Sequence, residues 1–196
     1  MNKDHAIVEA RAEYTKQLKS LVFEPIFHVI HEIYKDVVMN SKQTKDNLIN
    51  FQKHLQQIPL WNQSVIDVNI KKISNKCDFI DDLIAAIFIS NVKILTSVKI
   101  GKDKKKIDIT MPKVDRFLHK LFINSAKNVY ENPHVFQKQD KKTHTFIFIE
   151  NAVDETIRTM LPFQNILQSY LGKTLNESDS DSESEPEPEP ESDSES

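Results

Sequence analysis

His28, His31 and Glu32 fall within five residues and offer three side chains able to ligate a metal. Two histidines three apart on a helix can share an ion. The zinc-protease pattern instead needs histidines at i and i+4 around a glutamate base, and that spacing is absent. With Lys35, these residues lie opposite a stripe of Ile26, Ile30, Ile33 and Val37. They read better as the solvated face of a helix than as a metal centre. Asp78, Asp81 and Asp82 form a second cluster. Paired carboxylates can do acid–base work or hold Mg²⁺. Acids in the first turn of a helix are also what the helix dipole favours, and capping accounts for them better. Cys77, the single cysteine, precedes that turn, where a thiolate would be stabilised. His54 and His119 are too remote in sequence to be assigned to it. A small, partly buried structural residue is the simpler reading.

The basic residues carry more weight. Lys99, Lys102, Lys104, Lys105 and Lys106 crowd one stretch, Lys113, Arg116 and Lys120 follow at i, i+3 and i+7, and Lys138, Lys141 and Lys142 form a third run. Such residues can neutralise phosphates, so Lys102, Lys104, Lys105, Lys106, Arg116 and Lys120 are the candidate nucleic-acid-binding residues. The one aromatic residue among them, Phe117, falls on the apolar side of its helix, which removes the usual support for reading bases. The competing reading is a solvated lysine-rich loop.

These residues must be positioned by helices for the most part. Residues 5–22 predict a first helix, broken or kinked at Pro25. The Ile26/Ile30/Ile33/Val37 stripe predicts a second, to about Val38. Leu48, Phe51, Leu55 and Ile58 mark a third, closed by Pro59. Asn62 or Ser64 caps a short helix over about 64–75. Trp61 beside Pro59 reads as a wedge between helices. A helix from Phe79 to about Leu95 is apolar almost all round and is expected at the centre of the fold. Alternation around Gly101 makes 94–111 a candidate β-hairpin with a basic tip. Residues 113–130 form another helix, ended by Asn132-Pro133. Lys138 to Lys142 reads as a charged loop. Phe146 to Ile149 is a short strand or the lead-in to a last helix over about 151–171, kinked at Pro162 and closed by Gly172.

Composition narrows the chemistry. Only Gly101 and Gly172 are glycines. Phosphate-cradling loops and dinucleotide-binding turns need several, because the backbone must approach the anion. One cysteine excludes an intramolecular disulfide and a cysteine-rich zinc site within one chain. The sequons at Asn62 and Asn176 read as chance matches, since Met1 to Ala10 has no apolar signal core. The longest apolar run, Leu83 to Ile89, is too short to span a bilayer. The expectation is a soluble protein with no cofactor, no membrane partner and no enzymatic activity.

Charge is divided unequally. The last 21 residues, Asn176 to Ser196, take ten of the 29 acidic residues and none of the 26 basic ones. Residues 1–175 are left at about +7, against −10 for the tail. The tail holds no apolar side chain and should be disordered. Ser178, Ser180, Ser182, Ser184 and Ser192 each have an acid three residues on, a spacing that suits acidophilic kinases of the casein kinase 2 type. Each phosphate would add about −1.5 to −2. A tethered polyanion can fold back on a basic face and compete with nucleic acid.

Several stretches together resemble an uncharacterised protein family of large nucleocytoplasmic DNA viruses, the giant viruses. They are Ile58-Pro59-Leu60-Trp61-Asn62, Asp81-Asp82-Leu83-Ile84-Ala85-Ala86 with Lys93-Ile94-Leu95-Thr96-Ser97, Asn132-Pro133 with Val135-Phe136, Glu155-Thr156-Ile157-Arg158, Leu161-Pro162 and Tyr170-Leu171-Gly172. The likeness spans about residues 5–172 and leaves out the acidic tail. It implies infected-cell cytoplasm or the virion, and assigns no activity to any residue. The expected protein is mostly α. It has a helical globular domain over 1–175, carrying the candidate hairpin, and a disordered acidic Ser/Glu/Pro tail over 176–196. The expected function is that of a non-enzymatic viral interaction or virion-associated protein whose partners are viral proteins. The alternative is a non-specific nucleic-acid-binding protein autoinhibited by its tail.

Overall fold

Leu18, Val22, Ile26 and Ile30 are four apolar positions in one row, all fully shielded from solvent. They run straight through Pro25. In the computed structural model, which describes residues 3–41, 46–97 and 111–167, they belong to one helix, α1 (Lys3–Asn40). The expected break at Pro25 does not occur. An interior proline costs about 3 kcal/mol, whereas burying each side chain of that row returns about 1.5–3 kcal/mol. The row wins, and the two expected helices become one of 38 residues.

Five more long helices follow among the described residues: α2 (Asn47–Leu55), α3 (Gln63–Ser74), α4 (Ile80–Ser97), α5 (Val114–Glu131) and α6 (Lys141–Met160). Turns of 3-10 type at Ile58–Leu60 and Pro133–Gln137 join α2 to α3 and α5 to α6. Each starts at or next to a proline that the sequence marked as a breaker. Asn62 caps α3 as expected, its side-chain oxygen accepting from the Val65 amide at 3.0 Å. No strand occurs among the described residues. Helix α4 runs on through Ser97, so residues 94–97 of the candidate hairpin are helical. Residues 98–110 lie outside the described residues. No helix of the described residues is long and apolar enough to cross a membrane.

Helix α1 is the element around which the others pack, touching α2, α3, α4, α5 and α6. Helix α4 does not hold the central place its composition suggested. It packs chiefly on α1 and leaves Phe79 and Ile89 49% and 40% exposed next to its N-terminus and on its outer side. Helix α6 starts ten residues earlier than its expected start. Lys141 and Lys142, expected in a charged loop, form its first turn, and Phe146 to Ile149 are helical. The buried set Thr145, Ile149, Ala152, Val153, Thr156 and Ile157 recurs at helical spacing and covers α5 and α1. The helix ends at Met160. Leu161 is pushed into an extended conformation by the proline after it, and a short helical turn follows at 163–167.

An aromatic cluster closes one end of the core. Phe136 lies 5.1 Å from Phe51, 5.6 Å from Tyr34 and 6.3 Å from Phe27, ring centre to ring centre. Between α5 and α6, Asn124 donates to the Thr156 hydroxyl at 2.9 Å, and that hydroxyl donates to the Ala152 carbonyl at 2.6 Å.

Candidate functional site

Two rows of polar and charged residues face each other across the seam between α1 and α6. On α1 they are Arg11, Thr15 and Lys19, one helical turn apart, with Lys16 beside them. On α6 they are Glu150, Asp154 and Arg158, again one turn apart. Spacing of i, i+4 and i+8 sets each row on a single face. Asn91 of α4, Ile157 and Leu161 complete a groove of about 490 Å³.

The register of the two helices follows from three contacts. Lys19 Nζ meets the Asp154 carboxylate at 2.8 Å. Phe23 packs edge-on to Phe146 at 4.9 Å. Lys142 pairs with Glu24. Higher numbers on α1 face lower numbers on α6, so the helices are antiparallel. Arg158 and Leu161 therefore face the Thr15 and Arg11 end, and Glu150 lies at the other.

Each polar group in the groove has a distinct local state. The Asn91 amide donates to the Ile87 carbonyl of its own helix at 2.8 Å, which leaves its oxygen to accept from Arg11 Nη1 at 3.4 Å. The Thr15 hydroxyl donates to the Arg11 carbonyl at 2.8 Å. Lys19 is neutralised by Asp154. Lys16 and Arg158 are exposed, and neither has an ion-pair partner among the described residues. Arg158 lies in the last turn of α6, where the helix dipole favours a cation. The groove thus holds four cations against two carboxylates, and its free cations gather at the Arg11–Arg158 end. Chemically it can hold an anion, with guanidinium groups suited to carboxylate or phosphate.

The residues singled out in the sequence are scattered. Arg116 is exposed and Lys120 half-buried, one turn apart near the start of α5. Lys102, Lys104, Lys105 and Lys106 lie outside the described residues, as do Ser178, Ser180, Ser182, Ser184 and Ser192. His28 is exposed, 3.9 Å from Glu24. His31 is not on the solvated face that the sequence suggested. It stacks on Phe27 at 5.4 Å and approaches Phe136 at 6.4 Å. Burial, helped by Lys141 and Lys35, holds its imidazole below the ordinary value of 6.5. Burial likewise raises the Tyr34 phenol. Asp78, Asp81 and Asp82 are all exposed, and Asp81 and Asp82 occupy the first turn of α4. Cys77 is buried. His119 stacks on Trp61 at 6.1 Å and bonds the Ile58 carbonyl at 3.0 Å, while His54 bonds the Asn50 carbonyl at 2.8 Å. Trp61 packs against the core as a wedge, 5.5 Å from Phe122. Among the described residues no three His, Cys, Asp or Glu side chains gather closely enough to hold a metal ion.

A second, apolar notch of about 280 Å³ lies between the α2 end and α5, lined by Leu55, Pro59, Ile123, Ala126 and Tyr130 among others. Gln52 ties α2 to α5 by donating to the Tyr130 carbonyl at 2.8 Å.

Sequence reasoning missed the α1/α6 groove. Its signal was present as rows of charge at helical spacing in residues 11–19 and 150–158, but nothing in the sequence says that those rows face each other.

Fold and groove together define an all-helical protein, within the described residues, with a charged groove between two antiparallel helices. The chain belongs to a family of unknown function, DUF5764, whose model matches residues 5–137. The match runs from α1 through the turn after α5, and α6 lies beyond it. A comparison with curated proteins found no match, and neither did one with solved structures.

Proposed function

We propose that this protein is a non-enzymatic viral interaction or virion-associated protein. Its basic body meets partner proteins, and its acidic tail regulates those contacts. The observation that carries this reading is the charge division: a body at about +7 and a tail at −10 within one chain, with exposed cations on the body at Lys16 and Arg158 that have no ion-pair partner among the described residues. Charge of that kind steers association and is sensitive to salt. The viral setting, in host cytoplasm or virion, rests on the sequence resemblance carried by Ile58 to Asn62, Asp81 to Ala86 and Glu155 to Arg158.

A second reading is non-specific nucleic-acid binding, favoured by Lys113, Arg116 and Lys120 at the start of α5, next in sequence to Lys102, Lys104, Lys105 and Lys106. Duplex-DNA binding by residues 1–175 and by the full chain, at low and moderate salt, separates the two. The described buried core runs from Leu18 to Ile166, so the truncation removes none of it. If the body binds, weakens steeply with salt and is suppressed by the tail, nucleic acid is the ligand and the tail its mimic. Absence of binding by either form at low salt rejects that reading and leaves protein partners as the target.

A further inference from the structure

We propose that the groove between α1, α4 and α6 is the docking site of the chain's own acidic tail. Carboxylates, and phosphates when present, from the Glu177 to Glu195 segment would sit on Arg11, Lys16 and Arg158. The proposal rests on the reading of the tail as a regulator and names the surface it acts on.

Three observations converge. The first is charge. Ten acids in 21 residues with no compensating base are attracted to a cationic surface, and this groove offers Lys16 and Arg158, which have no ion-pair partner among the described residues. The second is position. The chain leaves α6 at Met160, and Leu161, the next residue, lines the groove itself. Eight residues, 168–175, lie between Leu167, the last one described, and Asn176. Fully extended, these nine Cα–Cα steps span about 30 Å, more than the roughly 20 Å that is the most the six residues from Leu161 to Leu167 can cover. The tail can therefore reach back to Leu161 and the groove it lines. The third is polarity along the groove. Glu150 is eight helical residues from Arg158, about 12 Å, which exceeds the Debye length of about 8–10 Å at physiological salt. At that ionic strength Glu150 repels an anion at the Arg158 end only weakly, and at lower salt it remains farther from that anion than Arg158, which attracts it. Asp154 is already neutralised by Lys19. The end where the chain emerges is thus the end that attracts an anion.

Tethering places the tail at an effective concentration of about millimolar, so weak individual contacts suffice. Phosphorylation of Ser178, Ser180, Ser182 or Ser184 would deepen occupancy through phosphate–guanidinium pairs. An anionic partner entering the groove would have to displace the tail.

The test uses the full chain with Ser184→Cys carrying a nitroxide label, and Cys77, which is buried, left in place. Amide signals are read by NMR. The expected result is broadening of residues 11–19 and 154–161 at low salt. It should be lost near 1 M salt, where the Debye length is about 3 Å, and lost in Lys16→Glu/Arg158→Glu. Those two side chains are exposed and unpaired, so melting should not change. Lys16→Gln/Arg158→Gln serves as a milder version if charge reversal perturbs folding. Broadening centred on 113–120 instead would overturn the groove assignment while leaving a self-screening tail intact. No broadening anywhere at low salt would overturn both the groove and the tail's regulatory role. Broadening of the groove that survives both charge reversal and high salt would also overturn the proposal, since its physical cause would then not be charge.

Discussion

Removing the Thr156 hydroxyl should destabilise the protein out of proportion to the atom lost. Thr156 is fully buried and Asn124 is 3% exposed. The Asn124 amide donates to Thr156 Oγ1 at 2.9 Å, and no water can reach the pair to replace that acceptor. Thr156→Val keeps the shape of the side chain and its β-branching, so helix propensity and packing change little. What changes is that a buried N–H loses its partner, at a cost of about 1–3 kcal/mol. For a domain of this size each kcal/mol lowers Tm by about 2–4 °C, which predicts a fall of about 2–12 °C. The companion variant Asn124→Leu/Thr156→Val removes donor and acceptor together and should recover most of the loss, because replacing both partners by apolar groups is nearly neutral. Urea unfolding of wild type, both single variants and the double variant closes the cycle. The midpoint should move while the slope stays constant. The reasoning fails if Thr156→Val lies within about 0.5 kcal/mol of wild type, or if the two substitutions simply add. Either result would mean that this buried hydrogen bond does not help to hold α5 against α6.

Phe136→Ala should cost about 3–5 kcal/mol in the same unfolding assay, because its ring is shared by Phe27, Tyr34 and Phe51, and a loss below about 1 kcal/mol would show that this end of the core can collapse around the gap. His31 titrates below its ordinary value because burial disfavours the imidazolium. The unfolded chain therefore takes up the proton first, so stability is complete above about pH 6.5 and declines as pH falls toward the lower folded value. Thermal melts across that window should show this slope in wild type and a shallower one in His31→Phe, with equal slopes refuting the assignment. Glu24, held below the ordinary carboxylate value by its hydrogen bond to Lys142, contributes stability that is lost only at lower pH, as pH drops through its folded value, and Lys142→Met should remove that component. If nucleic acid is a ligand through α5, Arg116→Glu/Lys120→Glu should weaken duplex binding equally across sequences and flatten the salt dependence by about two phosphate contacts. An unchanged slope would exclude that face.

Much of the helical class was legible because local rules decide it. The stripe Ile26, Ile30, Ile33, Val37 and the row Phe117, Leu118, Leu121, Phe122 announce their buried faces by spacing alone. Asn132-Pro133 ends α5 where a missing donor and a restricted φ demand it, whereas the helix expected to reach Ile58 and close at Pro59 stops at Leu55, and Ile58 and Pro59 start a 3-10 turn instead. Asn62 caps α3 because a short side-chain acceptor precedes the first turn. Elsewhere, local preference was overruled. Pro25 reads as a break until the burial of Leu18, Val22, Ile26 and Ile30 is weighed against it. Phe146 to Ile149 reads in isolation as either a strand or the lead-in to a helix, and the tertiary structure decides for the helix, which presents Thr145, Ile149, Ala152 and Val153 to α5 and α1 together. His31 reads as a polar-face residue until Phe136, more than a hundred positions away, arrives beside it.

By itself, then, the sequence determined the helical class of the described residues, most of the boundaries and the separation of charge between body and tail, because each depends on neighbours within a few residues. Only the tertiary structure decided which element is central, where the cations gather and what they face. Arg11 and Arg158 lie 147 positions apart in the chain, and no local preference brings them to one groove. That is done by α1 and α6 packing antiparallel, a register fixed by apolar burial and by the Lys19–Asp154 pair.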